Sequence, residues 1–269
     1  KPEEITPGTA LYYTSTCHGC SAGCGLVVKN RDGRPIKLEG NPDHPLSRGS
    51  TCAVGQASIL GLYDQMRLST PLWRQQQASW AQVDDEIRGR LAGSGGRKGR
   101  VRVLTGTCNS PTLQHAIDAF LARIPDARHV AYDPLSCSAM LDAHQRTHGA
   151  RVLPRVRLGA AQVIVSLDAD FLGTWVSPVE FTNAYRDGRW ITEGTRSRSL
   201  HVHIEPRLSL TGSKADRRFV VLPGHTGVLA THLAGRLAKL ADVAFDAPGL
   251  EAAPIAERDL AFIVSRLWE

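Results

Sequence analysis

Apolar positions along the chain change from short alternating groups to helical stripes separated by brief apolar runs. Before residue 75 the clearest pattern is a β-hairpin over 26–40, in which two apolar groups flank the turn pair Asp32-Gly33. A short helix from Gln56 to Tyr63 is predicted after it. Residues 1–75 are therefore predicted to form a small, β-rich domain.

Helix starts are marked at three later places. Ser79 with Gln82 makes a capping box before an apolar stripe, and Ser110-Pro111 is a typical first turn. Thr226 is predicted to cap a further helix. Short apolar runs typical of buried strands alternate with these helices, at 101–104, 130–132, 163–167 and 201–204.

This alternation predicts an α/β fold with a mostly parallel sheet over residues 76–243. Residues 244–256 are rich in alanine and proline and read as a linker, so 244–269 is predicted to hold a linker and the start of a further helix.

Charge, aromatic content and the length of apolar runs argue against a nucleic-acid partner and a membrane span. The 269 residues carry a formal net charge of +6, but the basic residues are spread out and aromatic residues make up only 6%. The densest basic group lies at 97–102, without the interleaved aromatics of a nucleic-acid site, so no nucleic-acid partner is expected. No apolar run of about 18 residues occurs, which predicts no membrane span. The chain starts at Lys1, so an export signal cannot be read from it.

Four of the six cysteines lie in the first 52 residues, with the spacing C-x2-C-x3-C-x27-C: Cys17, Cys20, Cys24 and Cys52. Three thiolates within eight glycine-rich residues, and a fourth from elsewhere, suit the corners of one [4Fe–4S] cluster. Zinc sites usually pair two knuckles, so zinc is the lesser alternative and disulfides the least. His18 is not needed as a ligand.

Three other groups could carry chemistry. The turn 105–110 could bind an anion at a helix start, although a plain strand-to-helix turn is favoured. His201, His203 and Glu205 alternate on one strand and could bind a metal, but a satisfied surface or interface group is preferred. Asp168 and Asp170 follow a buried strand, where α/β folds place ligands.

The cysteine spacing, the hairpin end 38–42 (LEGNP) and the following 55–57 (GQA) resemble the N-terminus of the molybdopterin oxidoreductase (dimethyl-sulfoxide-reductase-like) superfamily. The runs 163–175 (VIVSLDADFLGTW) and 205–212 (EPRLSLTG) are similar to its quinone-linked branch, which includes the iron–sulfur subunit of alternative complex III. The resemblance implies a [4Fe–4S] domain and then a Rossmann-like α/β domain.

Three features differ from catalytic members. Val54 stands where they commonly carry Lys or Arg, the segment 223–226 (PGHT) lacks their acidic residue, and the chain ends earlier. The resemblance then implies an electron-transfer subunit of a membrane-associated respiratory complex, of quinol to cytochrome c type, without molybdenum. Molybdopterin guanine dinucleotide is possible but disfavoured. The alternatives are the N-terminal part of a catalytic polysulfide, thiosulfate or arsenic oxidoreductase, and a structural subunit with a non-functional cluster.

No catalytic residue is assigned, and the chain is expected to be part of an oxidoreductase complex rather than catalytic alone. The implied partners are further iron–sulfur, cytochrome or quinone-binding subunits. The implied location is the periplasmic side of the cytoplasmic membrane.

Overall fold

A computed structural model describes residues 5–94, 101–191, 193–194 and 197–269. Three residues of the basic group at 97–102, Arg97, Lys98 and Arg100, lie outside these ranges. Contacts divide the chain into two compact units, one within 1–44 and 49–153 and the other within 45–48 and 154–269. Within the described ranges no helix is long and apolar enough to cross a membrane.

The first unit begins with an antiparallel sheet of three strands, β1 (Ala10–Thr16), β2 (Gly25–Arg31) and β3 (Arg34–Gly40). Asp32 and Gly33 both have positive φ, +51° and +80°, which confirms the predicted hairpin turn. The sheet packs its apolar side on the short helical segment that follows, through Leu26, Leu38 and Ile59. The strand β1 is not predicted by the sequence pattern, because most of its side chains are exposed.

The rest of the first unit alternates helices with short strands: α1 (Ala53–Ala57), a 3-10 turn (Ser58–Leu62), β4 (Leu72–Trp73), β5 (Gln76–Gln77), α2 (Trp80–Ser94), β6 (Arg102–Thr105), α3 (Pro111–Leu121), β7 (Arg128–Ala131) and α4 (Ser138–His148). The strands β6 and β7 are parallel. The capping box is confirmed, since the Ser79 N–H donates to the Gln82 side chain at 2.8 Å and the Gln82 N–H to the Ser79 hydroxyl at 3.2 Å.

The second unit is built on a parallel sheet in the order β10-β9-β8. Its elements are β8 (Val163–Leu167), α5 (Pro178–Asp187), β9 (Leu200–Glu205), β10 (Arg217–Val220), α6 (His225–Leu240) and α7 (Glu257–Trp268). One apolar cluster joins Val202 and Ile204 to α6 and α7, and a second joins Ile164 to Phe181 on α5. The central strand β9 is therefore buried on both faces.

The predicted α/β class, a small antiparallel sheet followed by helices and parallel strands, is confirmed. The parallel strands form two separate sheets within the described residues, rather than one. The prediction that Thr226 caps a helix is wrong. The N-cap of α6 is Gly224, which has a φ of +89°. The His225 N–H donates to the Leu222 carbonyl at 3.0 Å, and this turn starts the helix before Thr226. The domain boundaries 1–75, 76–243 and 244–269 stay a prediction.

Candidate metal centre

The first three cysteines of the motif lie on the loop that joins β1 to β2. Cys17 directly follows β1, and Cys24 directly precedes β2. The Cys17 N–H donates to the Cys24 carbonyl at 2.8 Å and closes the loop at its base. Gly23 has φ +59°, where an L side chain is strained, so glycine lets the chain turn back here. The sheet therefore holds Cys17 and Cys24 beside each other, with Cys20 exposed between them.

The fourth cysteine arrives on a segment that folds back against the hairpin. The Asn41 N–H donates to the Gly25 carbonyl at 2.9 Å, and the Gly49 N–H donates to the Asn41 carbonyl at 2.9 Å. Cys52 then forms the N-cap of α1. Backbone hydrogen bonds to the start of β2 thus bring Cys52 back to the loop from a position 28 residues later than Cys24.

Gly55 lies close to the sulfurs of Cys17 and Cys52. The Cys52 sulfur accepts the Gly55 N–H at 3.4 Å. A Cβ atom on Gly55 would lie 3.8 Å from both the Cys17 and the Cys52 sulfur. A Cβ on Gly19 would likewise lie 3.5 Å from the Cys17 sulfur. A Cβ on Gly55 would also clash with the Thr51 hydroxyl, so glycine lets this turn lie close to both sulfurs.

The four thiols also interact electrostatically. Burial first, and then the neighbouring thiols of Cys17, Cys20 and Cys52, together raise the pKa of Cys24 to about 11. A buried thiolate of this kind needs compensating positive charge, which an iron–sulfur or other metal centre supplies.

Within the described residues, no three His, Cys, Asp or Glu side chains are gathered closely enough to hold a single ion. A cubane places its four thiolates on four separate irons, so its donor sulfurs stand further apart than the ligands of one zinc ion. The all-thiolate donor set, without the close grouping that a single ion needs, fits a cluster better than zinc. His18 is exposed on the same loop.

The backbone at 105–110, where an anion could bind, instead donates a hydrogen bond to the Asp133 carboxylate. Asp133 accepts the Thr107 N–H at 3.0 Å and also the Thr107 hydroxyl. These hydrogen bonds, the hydroxyl first, lower the pKa of Asp133. The preferred prediction of a plain strand-to-helix turn fits this geometry.

The two aspartates after β8 differ in their surroundings. One oxygen of Asp170 accepts the Thr211 N–H at 3.1 Å and the Thr211 hydroxyl at 2.8 Å, and the other accepts the Thr174 hydroxyl at 3.2 Å. These bonds overcome partial burial and leave the pKa of Asp170 lowered. Asp168 takes a positive φ of +52°, and its N–H donates to the Ile204 carbonyl at 2.8 Å. Asp170 therefore serves to fasten its own loop.

His201, His203 and Glu205 do not lie on a surface, as the preferred sequence interpretation expected, but in the core of the second unit, at most 1% exposed. The reason is that β9 is the middle strand, and Tyr185 of α5 packs against His201 with ring centroids 5.4 Å apart. Burial, then the neighbouring His203, lowers the pKa of His201 to about 4.

Glu205 keeps its charge in this core. It accepts His203 Nε2 at 3.0 Å, the Ser209 N–H at 3.1 Å and the Arg218 side chain. These contacts outweigh burial and bring the pKa of Glu205 down to about 2.

Sequence reasoning missed two polar residues of these regions. The Asn109 side-chain amide donates to the carbonyl of Ser21, inside the cysteine loop. The guanidinium of Arg218 neutralises Glu205. Neither has a local signal, because each contact joins residues distant in sequence whose types are common in loops and on strands.

A family profile described as the molybdopterin oxidoreductase Fe4S4 domain matches residues 11–64. This range contains all four cysteines of the motif. Residues 11–64 are thus similar to the Fe4S4 domain of molybdopterin oxidoreductases. The predicted resemblance to this superfamily is confirmed, and a domain of this kind supports a 4Fe–4S cluster.

Curated relatives agree with the domain match. The chain is 24% identical over 251 residues, 91% of its length, to the menaquinone reductase, molybdopterin-binding-like subunit of Nitratidesulfovibrio vulgaris. It is 38% identical over 91 residues to the formate dehydrogenase alpha chain of Megalodesulfovibrio gigas, covering 31% of this chain and 9% of that one. It is 42% identical over 73 residues to one subunit of the sulfite dehydrogenase of Allochromatium vinosum, covering 27% and 8%. These relatives are subunits of oxidoreductases.

The chain spans 35% of the length of the menaquinone reductase subunit. Among solved structures, acetylene hydratase from Pelobacter acetylenicus superposes with a TM-score of 0.58 over 85% of this chain and 32% of the hydratase. At 15% identity this likeness concerns the fold alone.

Proposed function

We propose that this Fe4S4 domain holds one [4Fe–4S] cluster on Cys17, Cys20, Cys24 and Cys52 and serves in electron transfer. The observation that carries the proposal is that one loop and one helix start bring the Cys17 and Cys52 sulfurs to 3.8 Å from a single point, the position of a Cβ on Gly55, while the thiols of Cys17, Cys20 and Cys52 all act electrostatically on Cys24. When bound, a cluster of this type takes up and releases one electron at a time. The chain's own part is to supply thiolates, exclude water beside Cys24 and set the potential through backbone N–H groups.

The complex that we propose is a membrane-associated respiratory oxidoreductase working between quinol and a cytochrome c or similar carrier. Its further iron–sulfur, cytochrome or quinone-binding subunits would be the partners, on the periplasmic side of the cytoplasmic membrane. The relative that aligns with 91% of the chain is named as a menaquinone reductase subunit, which supports a quinone-linked complex.

We further propose that the protein works without molybdenum. Val54, on α1 two residues after Cys52, is an exposed apolar side chain where catalytic members of the family that it resembles commonly carry Lys or Arg. In the second unit, the carboxylates of Asp170 and Glu205 at the carboxyl end of the parallel strands are used up by contacts within the chain. Ligands of α/β folds bind at this end of the strands, so these two groups offer a pterin no free acceptor.

The second candidate is the N-terminal part of a catalytic molybdopterin enzyme. It is favoured by the higher identity, 38% and 42% over 31% and 27% of the chain, to a formate and a sulfite dehydrogenase subunit. Metal and pterin analysis of the complete protein in its native complex separates the two. Iron and sulfide near four each per chain with no molybdenum supports the proposal, and molybdenum stoichiometric with protein contradicts it.

The ligand assignment is tested by Cys24→Ser. Serine removes the most buried of the four thiols, so we expect iron and sulfide content to fall and the cluster spectrum to be lost or converted. Cys108→Ser is the matched control, because Cys108 is a half-buried thiol that donates to the Ser110 carbonyl at 3.6 Å. An unchanged spectrum in Cys24→Ser would show that the assignment is wrong.

Redox titration followed by EPR tests whether the cluster transfers electrons. A cluster that is reduced within the potential range of quinones and cytochromes supports the proposal. A cluster that no physiological potential reduces would instead assign it a structural role.

A further inference from the structure

One contact ties the cysteine loop to the strand-to-helix turn between β6 and α3. The side-chain amide of Asn109 donates to the backbone carbonyl of Ser21, a residue 88 positions earlier. Ser21 directly follows Cys20 and stands three residues before Cys24. This is a long-range contact onto the backbone between two cysteines of the motif.

The turn that carries Asn109 is fastened on both sides. Thr107, two residues before it, donates its N–H and its hydroxyl to Asp133, which follows β7. Ser110, one residue after it, caps α3 by accepting the Leu113 N–H at 3.2 Å. Asn109 is thus held between two anchors, so its amide has a defined position from which to fix the loop.

Fixing the Ser21 carbonyl also fixes a donor. The carbonyl of Ser21 and the N–H of Ala22 belong to one planar peptide unit, and in a trans peptide they point in opposite directions. No cis peptide bond occurs among the described residues. The Ala22 N–H makes no hydrogen bond within the part of the chain that the structure describes, and Ala22 is half-buried. By binding the Ser21 carbonyl, Asn109 therefore makes the Ala22 N–H point to the opposite side of this peptide, within the loop that holds three of the cysteines.

We propose that Asn109 is a positioning residue for the cluster. By holding the Ser21–Ala22 peptide, it presents the Ala22 N–H as a hydrogen-bond donor to a cluster or cysteine sulfur. This inference rests on the proposed function, since it needs the cluster on the four cysteines. A hydrogen bond to sulfur stabilises the more negative, reduced form and so raises the reduction potential.

The test is Asn109→Ala in the complete protein purified with its native complex. Alanine frees the peptide to rotate, so the reduced form loses a donor. We expect the ratio of reduced to oxidised cluster at a fixed potential to fall about tenfold, which a one-electron couple shows as a drop of about 59 mV. The measurement is a dithionite titration followed by EPR, with iron and sulfide content determined on the same samples.

Ser110→Ala is the matched control, because it weakens the same turn by removing the cap of α3 without touching the Asn109–Ser21 contact. We expect it to lower thermal stability and leave the potential unchanged. If Asn109→Ala fails to load the cluster, Asn109→Leu, which is neutral and of similar size but has no amide donor, carries the test and should also lower the potential.

A loaded Asn109 variant with the wild-type potential and g-values would overturn the inference, as would an equal shift in Ser110→Ala. Wild-type protein without iron and sulfide would overturn the proposed function instead.

Discussion

Gly40, the last residue of β3, stands where the segment leading to Cys52 crosses the hairpin. A Cβ atom there would lie 2.5 Å from the Ser50 nitrogen and closer still to the Gly49 carbonyl. Real Cβ atoms essentially never approach other atoms below 3.0 Å, and these neighbours are backbone, which cannot swing aside as a side chain can. Gly40→Ala therefore forces the backbone of 49–50 away from the hairpin by at least about half an ångström.

The expected magnitude follows from two opposing effects. Overpacking a closely packed site costs about 1–3 kcal/mol. Replacing glycine restricts the unfolded chain and returns about 0.4–1 kcal/mol. The free energy of unfolding should therefore fall by about 1–2 kcal/mol, and because the displaced segment ends at Cys52, the iron and sulfide content should fall with it.

Chemical denaturation of the complete protein, together with iron and sulfide analysis, measures both effects. Gly61→Ala is the control, because a Cβ there meets nothing within 4 Å and its φ is not positive. This control should be neutral or slightly stabilising. Should Gly40→Ala match Gly61→Ala in unfolding free energy and iron content, the close approach would not be what positions Cys52.

Two further predictions concern the buried polar face of β9. Glu205→Gln leaves the partly buried Arg218 without its counter-ion and should lower the free energy of unfolding by about 3 kcal/mol. Glu257→Gln removes a carboxylate from an exposed pair with Arg236 and should lower it by only about 0–1 kcal/mol. Equal losses in denaturant titrations would refute this reasoning. Because burial holds the pKa of His201 at about 4 against 6.5 ordinarily, the unfolded chain binds more protons between these values, and stability should fall by up to about 3 kcal/mol as pH drops through this window. From pH 7 to pH 5 the wild type should therefore lose more unfolding free energy than His201→Leu, which lacks this titrating group. Equal losses in the two proteins would contradict this reasoning.

Several elements whose signals are local in sequence are predicted correctly, although the Thr226 cap is not. The turn pair Asp32-Gly33, the capping box of Ser79 and Gln82, and the start at Ser110-Pro111 all appear in the structure where the pattern puts them. Each works through bonds between residues at most a few positions apart, so the sequence alone contains both partners. The helix α5 was missed although Pro178 stands in its first turn and Glu180 follows, a signal that could have found it.

Elements that depend on distant neighbours were not predictable in this way. The strand β1 has few buried side chains and exists because its backbone pairs with β2 along its whole length. His201 and His203 look like surface residues in the sequence, and only the central place of β9 in the sheet buries them.

The cysteine spacing is enough to predict the chemistry of the centre. The spacing of Cys17, Cys20, Cys24 and Cys52 predicts the cluster and the family, because ligand type and local loop length are properties of the chain. The return of Cys52 past Gly40 and the contact of Asn109 with Ser21 are visible only in the folded chain. Such contacts depend on where the backbone is brought together in space, and residue spacing carries no record of that.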